Sequence, residues 1–550
     1  MTTALIERIR RGVVGADAAI STPYGDMPLV YADYTASGRS LGFIEDYLRD
    51  VVMPMYANTH SEASLTGAMT NAYRERARAT IKRAVNGGKE DRVVFCGSGA
   101  TAAVNRLIDV LGWRHGSGES AEARPLVFVG PYEHHSNELP WREAAVDVES
   151  IPLNAEGALC LESLEAALKR FNDRPVKLGS FSAASNVTGI RTDVPAVTRL
   201  LKAYGALACW DYAAAGPYVG IDVNTDAPID AVFVSPHKFV GGPGTPGVLI
   251  AKAHMFNLDK PAVVGGGTVA WVSPEHHVYV QDVERREEGG TPAILESIRA
   301  GLVFELQQEV GTARIEAIEH ERTRQALQRL GAELNLEILG PRDAERLSIV
   351  SMRFRHGEDF LHYGFVVTLL NDLFGIQVRG GCSCAGPYGH ALLGIDATQS
   401  AALSEAIAEG WSSLRPGWVR LNFNWFIDDA EFEYLLEALT MVARDGWRLM
   451  GDYRLDPNKG VWRHRDAVDV SERMVTLAAF MAEDGMVGNG ASQPSTARPA
   501  FSAAIARARK ILDAAGSGQA CTMTTALPER YTDLQWFVTA PESEPAAMAG

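Results

Sequence analysis

The stretch Val232-Phe-Val-Ser-Pro-His-Lys-Phe-Val-Gly-Gly-Pro-Gly-Thr-Pro-Gly247 decides how the rest of the chain is read. A short apolar run, Ala231 to Val234, has the length and composition of a buried strand. It ends in Ser235, Pro236, His237 and Lys238, and a Gly/Pro-rich segment follows. Lysine is normally solvated, and burial lowers its pKa by disfavouring the charged form. A depressed lysine is what Schiff-base chemistry requires. A surface lysine following a strand fits these residues equally well, so the surrounding sequence has to decide.

Outward from this stretch the pattern alternates. Asp91 to Cys96 reads as a strand, followed by Gly97-Ser-Gly-Ala-Thr101 and a helix over Ala102 to Leu111. A strand, a glycine turn and a helix start present free N–H groups to a phosphate. The segment has neither the Lys-Ser/Thr ending of a P-loop nor the dinucleotide glycine pattern, so one phosphate is implied. A plain tight turn into a helix would explain the segment about as well. Pro125 to Gly130 is a strand ending in Glu133-His-His-Ser-Asn137, and Pro175 to Ser182 one ending in Ser185-Asn-Val-Thr-Gly189. Thr192 or Asp193 caps a helix running to Tyr204. Ala206 to Trp210 ends at Asp211, and Gly247 to Ala251 is one more strand. Strands separated by helices predict a doubly wound, mostly parallel α/β sheet. Ligands of such sheets sit beyond the carboxyl ends of the strands. Thr101, His134, Asn186, Asp211, Ser235, His237 and Lys238 all lie at such ends.

The 550 residues carry a formal charge of −16, with 46% apolar and 22% charged side chains. That is the composition of a globular protein of several domains. The acidic balance argues against broad binding to nucleic acid or anionic membrane. Six cysteines in so long a chain do not make a disulfide framework and suggest a reducing compartment. Met1 to Val14 is a short amphipathic helix without the apolar core of a signal peptide, and no run is long enough to span a bilayer. A cytoplasmic location is expected.

The expected organisation is an N-terminal helical segment over 1–29, a large α/β domain over 30–312, a smaller α+β domain over 313–449 and a C-terminal extension over 450–550. The extension contains helix candidates at 471–483 and 501–514, a Gly/Ser/Pro-rich linker over 485–499 and a low-complexity tail from 541. The small domain carries the loop Gly380-Gly-Cys-Ser-Cys-Ala-Gly386. Cys382-Ser-Cys384 without a second Cys/His pair at finger spacing is a poor zinc pattern, so no metal is expected. His60, in the loop Tyr56 to Glu62, is a substrate-facing candidate, although a solvated loop histidine is the plainer reading.

A single phosphate, a buried carboxylate, a stacking imidazole and a lysine at neighbouring strand ends suit pyridoxal 5'-phosphate. Lys238 would carry the aldehyde as an aldimine, Asp211 would keep the pyridine nitrogen protonated, and His134 would stack on the ring. The helix start at Ala100 and Thr101, with Ser235 and His237, would hold the phosphate. Asn186 would reach the ring hydroxyl or the substrate carboxylate.

These residues carry a family resemblance from about Val30 to about Leu439. The chain resembles the class V aminotransferase group of fold-type I pyridoxal-phosphate enzymes, and within it the cysteine desulfurases and selenocysteine lyases. Phe95 to Asn105 resembles the phosphate loop, Glu133 to Asn137 the stacking-histidine motif, and Ser235-Pro-His-Lys238 the lysine motif. Gly289-Gly-Thr-Pro292 resembles a loop whose threonine, here Thr291, reaches the partner subunit's phosphate, which implies a homodimer. Val378 to Ala385 resembles the cysteine loop, with Cys384 at the persulfide position. Arg420, assisted by Arg379, resembles the arginine that binds the substrate α-carboxylate. The resemblance implies desulfuration of L-cysteine or selenocysteine to L-alanine, with a sulfur-acceptor protein as a further partner. A cysteine nucleophile acts as its thiolate, which basic neighbours favour.

Two departures stand out. Ala214 replaces the family's glutamine three residues after the aspartate, and Cys382 stands where relatives usually have histidine. They keep open another class V reaction, such as aminotransfer, epimerisation or C–S lysis of a modified amino acid.

Overall fold

The computed structural model describes residues 2–59, 61–115, 124–482 and 498–540. His60, most of the 485–499 stretch and the tail 541–550 lie outside the described residues. Contacts divide the chain into two compact units. One comprises Met1–Val14, Tyr34–His320 and Asp343–Leu347; the other comprises Gly15–Asp33, Glu321–Arg342 and Ser348–Gly550.

The first unit is built on a seven-stranded sheet: β1 (Asp91–Cys96), β2 (Leu126–Val129), β3 (Asp147–Ser150), β4 (Lys177–Ser182), β5 (Leu207–Asp211), β6 (Ala231–Val234) and β7 (Gly247–Lys252). Their order is β1-β7-β6-β5-β4-β2-β3. β2 to β6 pair in parallel, and β7 runs antiparallel to both β1 and β6. The reversal has a simple cause. A parallel return needs a crossover of a dozen or more residues, usually helical, whereas Ser235 to Pro246 holds only a short 3-10 turn and glycines. Strand β3, Asp-Val-Glu-Ser, is only partly buried at the sheet edge, which is why its sequence gave no strand signal.

Helices α1 (Leu65–Ala84), α2 (Gly99–Val110) and α3 (Ile294–Val310) belong to this unit. Val104, Leu107 and Ile108 of α2 are fully buried with Val94 of β1, Val127 of β2 and Leu249 of β7 in one apolar cluster. That packing holds the first turn of α2 at the carboxyl edge of the sheet. The Asp193 cap is present: its carboxylate accepts from the Ala196 N–H at 3.0 Å.

The second unit is α+β. Strands β8 (Leu336–Ile338), β9 (Ile349–His356), β10 (Asp359–Leu361), β11 (Arg379–Gly381) and β12 (Trp418–Asn422) form an antiparallel sheet in the order β8-β9-β12-β11, with β10 on β9. Helices α4 (Tyr363–Phe374), α5 (Asp429–Asp445) and α6 (Phe501–Ala514) accompany it. Met27 and Val30 share one core with Phe365, Leu369, Leu435 and Val442. Tyr453, Trp462, Ile505, Leu512 and Phe537 belong to the same core. The expected boundaries at 29/30 and 449/450 therefore cut through this unit. The apolar face of α6 announces burial, but a face alone does not say what it packs against.

His362 shows how closely the late segment is tied in. It is buried among Trp536, stacked at 5.3 Å, Phe537, edge-on at 4.7 Å, and Trp462. Its Nδ1 accepts from the Gly364 N–H, so Nε2 carries the proton and donates to the Ser413 carbonyl at 3.2 Å. Burial pushes this imidazole down to about 3. Phe537 bridges Phe360, and the Val538 N–H donates to the Phe360 carbonyl.

Truncating a fully buried phenylalanine costs about 3–5 kcal/mol. Phe537→Ala is expected to lower the urea midpoint accordingly. An unchanged midpoint would show that residues 498–540 are an appendage and not core.

Candidate active site

Within the first unit, strand ends and one helix start converge on the Ser235–Lys238 turn. Gly99 opens α2 at φ +55°, a conformation that favours glycine. A Cβ there would lie 2.9 Å from both Ser235 Oγ and His237 Cε1. A Cβ on Gly247 would lie 2.0 Å from the Gly99 carbonyl oxygen. These two glycines let the α2 turn, the β6 end and the β7 start meet backbone to backbone. The Ala100 N–H donates to Ser235 Oγ at 2.9 Å. On the other side of the turn, the Gly38 N–H donates to the His237 carbonyl at 2.8 Å.

Thr101 is exposed, and its hydroxyl lies 2.6 Å from Ser136 Oγ. Ser136 in turn holds His134: its N–H donates to Nδ1 at 3.0 Å, and its Oγ lies 3.0 Å from the same atom. Thr101, Ser136 and His134 thus form a chain of polar contacts. Ser136 was not singled out from the sequence; the available signal was a hydroxyl two residues after the histidine.

Lys238 is half-buried on the 3-10 turn Pro236–Lys238, within electrostatic reach of Asp211 and His237. Asp211, at the end of β5, is buried, and its Oδ1 accepts from the Ala213 N–H at 2.7 Å. Burial raises the Asp211 carboxyl, opposed by that N–H and by the Lys238 charge. Asn186 is buried in a turn where Ser185 Oγ accepts from the Val187 and Thr188 N–H groups. Ala214 is also buried and offers no polar group.

Glu133 was quoted only as part of a motif, yet it anchors this edge. Its carboxylate accepts from the Gly130 and Ser182 N–H groups, the Ser182 hydroxyl and Asn137 Nδ2, at 2.6 to 3.2 Å. Burial pushes its carboxyl up to about 7, opposed by the Ser182 and Asn137 donors. It fastens the His134 loop to the end of β4.

The fit to a phosphate-bearing ring can be judged on these residues. The start of α2, the hydroxyls of Thr101, Ser136 and Ser235 and the His237 imidazole make a donor-rich cradle of the kind a phosphate requires. A buried carboxylate and an amine stand beside it. The residues fit the group. Thr291 is exposed, with Asn58 Nδ2 3.5 Å from its hydroxyl.

The second unit assembles a separate set. Arg420 is buried on β12, and its Nη2 contacts Asp33 Oδ1 at 2.9 Å. Asp33 was not singled out from the sequence. Arg379, exposed on β11, pairs with Arg420 in register. Beyond β11, Ser383 and Cys384 have φ of +54° and +55°. Left-handed backbone in non-glycine residues costs about 1–2 kcal/mol each and persists where surroundings impose it. Here Trp418 Nε1 donates to Ser383 Oγ at 3.2 Å and the Ala385 N–H to the Cys382 carbonyl at 3.2 Å. Cys382 and Cys384 are free thiols, both half-buried. Among the described residues no cluster of His, Cys, Asp or Glu is suited to a metal ion.

Burial and the Lys238 charge lower the His237 imidazole to about 4, against an ordinary 6.5. Between these values the unfolded chain binds more protons, so this group's contribution is present above about pH 6.5 and is lost as pH falls toward 4. Cofactor-free wild type is expected to lose more stability between pH 7 and pH 4.5 than His237→Asn. Equal losses in urea titrations would refute the assignment.

The comparisons agree with this fold. The family described as Aminotransferase class-V matches residues 30–406, more than half of the chain. A probable cysteine desulfurase from Halalkalibacterium halodurans is 28% identical over 364 residues, covering 66% of this chain and 85% of that protein. The fold is similar to that of an apo cysteine desulfurase from Thermococcus onnurineus, with a TM-score of 0.63 and 24% identity, covering 78% of this chain and 99% of the other. A cysteine desulfurase from Escherichia coli gives a TM-score of 0.62 at 20% identity, covering 80% and 98%. With the sheet and the match over residues 30–406 in agreement, the chain belongs to the class V aminotransferase family.

Proposed function

We propose that this chain is a pyridoxal-phosphate-dependent cysteine desulfurase, taking sulfur from L-cysteine, or selenium from selenocysteine, and leaving L-alanine. One observation carries the reading: the chain bears both a lysine–aspartate–phosphate cradle and a free cysteine in an imposed turn, Cys384. The relatives named above support it.

When bound, pyridoxal phosphate supplies an electron sink for cleaving bonds to the Cα and Cβ of an amino acid. Ser235, His237, Thr101 and the start of α2 at Ala100 would hold its phosphate. Asp211, buried and facing the Lys238 charge, would pair with the ring nitrogen. His134 would cover the ring, with Ser136 fixing its tautomer, because Nδ1 accepts from the Ser136 N–H and the proton therefore sits on Nε2. Lys238 would anchor the aldehyde and carry protons at Nζ. Asn186 would orient the ring hydroxyl or the substrate carboxylate.

Arg420, with Arg379, would bind the substrate α-carboxylate, and Asp33 would orient the guanidinium. Cys384 would attack the substrate sulfur and hold it as a persulfide for an acceptor protein. Thr291 would serve a partner subunit's phosphate. Val263, Val264, Trp271, Val272 and Val278, apolar and exposed close to Thr291 in sequence, support a homodimer through this segment. A cytoplasmic location fits the reducing chemistry. Among the described residues no helix is long and apolar enough to cross a membrane.

Ala214 favours a second reading, since the ring hydroxyl would lack a side-chain donor there. Aminotransfer, epimerisation or C–S lysis of a modified amino acid would then be the reaction.

Two measurements test the proposal. The purified protein should bind pyridoxal phosphate with a visible absorbance that Lys238→Ala abolishes, and should convert L-cysteine to alanine and sulfide under reductant. Cys384→Ala is expected to keep the absorbance and lose at least about a hundredfold in alanine formation, roughly 2.7 kcal/mol of barrier. Full activity in Cys384→Ala would overturn the desulfurase reading, and ketone formation without sulfide would favour the second.

A further inference from the structure

Strand β1 lies at the edge of the seven-stranded sheet and runs into the turn that opens α2. An edge strand leaves alternate backbone groups without a strand partner, and where water is excluded something else must satisfy them. Here the Val93 and Phe95 N–H groups donate to the Glu284 and Glu288 carboxylates at 2.8 and 2.7 Å. The Val93 carbonyl accepts from Arg78 on α1. Side chains from 284 to 288 therefore occupy the place of a further strand.

Glu288 is the centre of that arrangement, its side chain only 4% exposed. Oε1 accepts from the Phe95 N–H and from Arg78 Nη1, the latter at 3.0 Å. Oε2 accepts from Arg78 Nη2 at 3.0 Å and from Arg74 Nη2. The Arg74 and Arg78 guanidiniums also lie over the Phe95 ring, 5.3 and 5.1 Å from its centre. Burial works against a charge here, but the two arginines and the Phe95 N–H outweigh it and hold the carboxyl below its ordinary value. Glu287, with no exposed surface, is held from α2. Arg106 Nη1 donates to its main-chain carbonyl at 2.6 Å and lies 3.4 Å from Oε2, which also accepts from the Ala262 N–H at 3.0 Å. Two consecutive glutamates thus fasten one segment both to the strand that enters Gly97–Thr101 and to the helix that leaves it. Thr291 follows three residues after Glu288, and between them the Gly290 N–H donates to the Gly266 carbonyl at 2.8 Å.

We propose that Glu287 and Glu288 are positioning residues for cofactor binding: they hold the Thr291 loop in register with the strand and helix that frame Gly97–Thr101, so that Thr291 reaches a partner subunit's phosphate from a fixed place. The inference rests on the reading of pyridoxal phosphate and of Thr291 given above. Neither glutamate touches the cofactor; each acts through Thr291. That threonine is exposed, with Asn58 Nδ2 at 3.5 Å from its hydroxyl, the limit of a hydrogen bond, so the buried glutamates before it set its place.

The test is a set of binding measurements on the full chain. Pyridoxal phosphate, and pyridoxal without the phosphate, are titrated into cofactor-free wild type, Thr291→Ala, Glu288→Gln and the double variant. Affinity is read from the visible absorbance and subunit association from sedimentation. Thr291→Ala is expected to weaken pyridoxal phosphate about tenfold, the worth of one hydrogen bond. Glu288→Gln should weaken it at least as much and the double variant no further, while pyridoxal binds all four chains alike. Additive losses, about a hundredfold in the double variant, overturn the positioning role, because independent sites add. Unchanged affinity in Glu288→Gln overturns it as well, and so do equal losses for pyridoxal, which a general loosening of the fold would give. A Glu288→Gln chain that folds but no longer associates overturns it too, since the glutamate would then act on assembly. If Glu288→Gln does not fold, Arg106→Met, which releases Glu287 from α2, carries the same cycle with the same outcomes. A monomeric loaded wild type, or unchanged affinity in Thr291→Ala, overturns the proposal and leaves the desulfurase reading to the L-cysteine assay. Absence of pyridoxal-phosphate binding in wild type overturns both.

Discussion

The first unit depends on a contact that only missing side chains allow. The Gly99 carbonyl lies where a Cβ on Gly247 would be, and Gly99 itself faces Ser235 and His237 with no Cβ between. Any larger residue at either position would push the first turn of α2 away from the Lys238 strand end. Through this contact the helix that would face a phosphate and the lysine that would hold an aldehyde share one rigid reference frame. The apolar packing of Val104, Leu107 and Ile108 against the sheet supplies the force that keeps the frame closed.

Around that frame the polar groups are arranged by burial. Glu133 accepts from four donors in a site shielded from water, two on each oxygen, so removing one donor would leave one oxygen with a single partner where water cannot replace the other. It thereby fixes the loop that carries His134 and Ser136. Asp211 is held the same way by the Ala213 N–H and the nearby lysine charge. Groups held in this way are fixed by their protein partners, which is the condition for electrostatic work at low reorganisation cost.

The second unit uses a different device. Its sheet and α4 carry a cysteine turn whose backbone sits in a conformation that serine and cysteine rarely adopt, held by Trp418 and by close glycine contacts. The same unit absorbs residues 453–464 and 501–538 into its core, with His362 enclosed by Trp462, Trp536 and Phe537. An uncharged histidine is what such an aromatic enclosure permits, because a buried imidazolium without a counter-charge would be expensive.

Much of this was legible beforehand, for identifiable reasons. Apolar runs of four to six residues, each ending in a polar or glycine-rich stretch, are strongly patterned. Lys238, Asp211, Asn186, Thr101 and His134 could therefore be assigned to one edge from the alternation alone. Ser136, Glu133 and Asp33 could not be ranked, since their importance lies in partners 30 to 390 residues away or in loop geometry, and no local period encodes that. The polar edge strand Asp147–Ser150 was invisible because a strand half out of the core needs no apolar alternation. The positive φ of Ser383 and Cys384 was invisible because neither residue type signals left-handed backbone. The sequence by itself determined six of the seven strands of the sheet and the edge where the candidate side chains gather, because periodicity and residue type are local properties. Only the tertiary structure decided that the late segment is core, that Glu133 is the anchor of the His134 loop and that two cysteines share one turn, because these follow from long-range packing that imposes conformations the local chain would not choose.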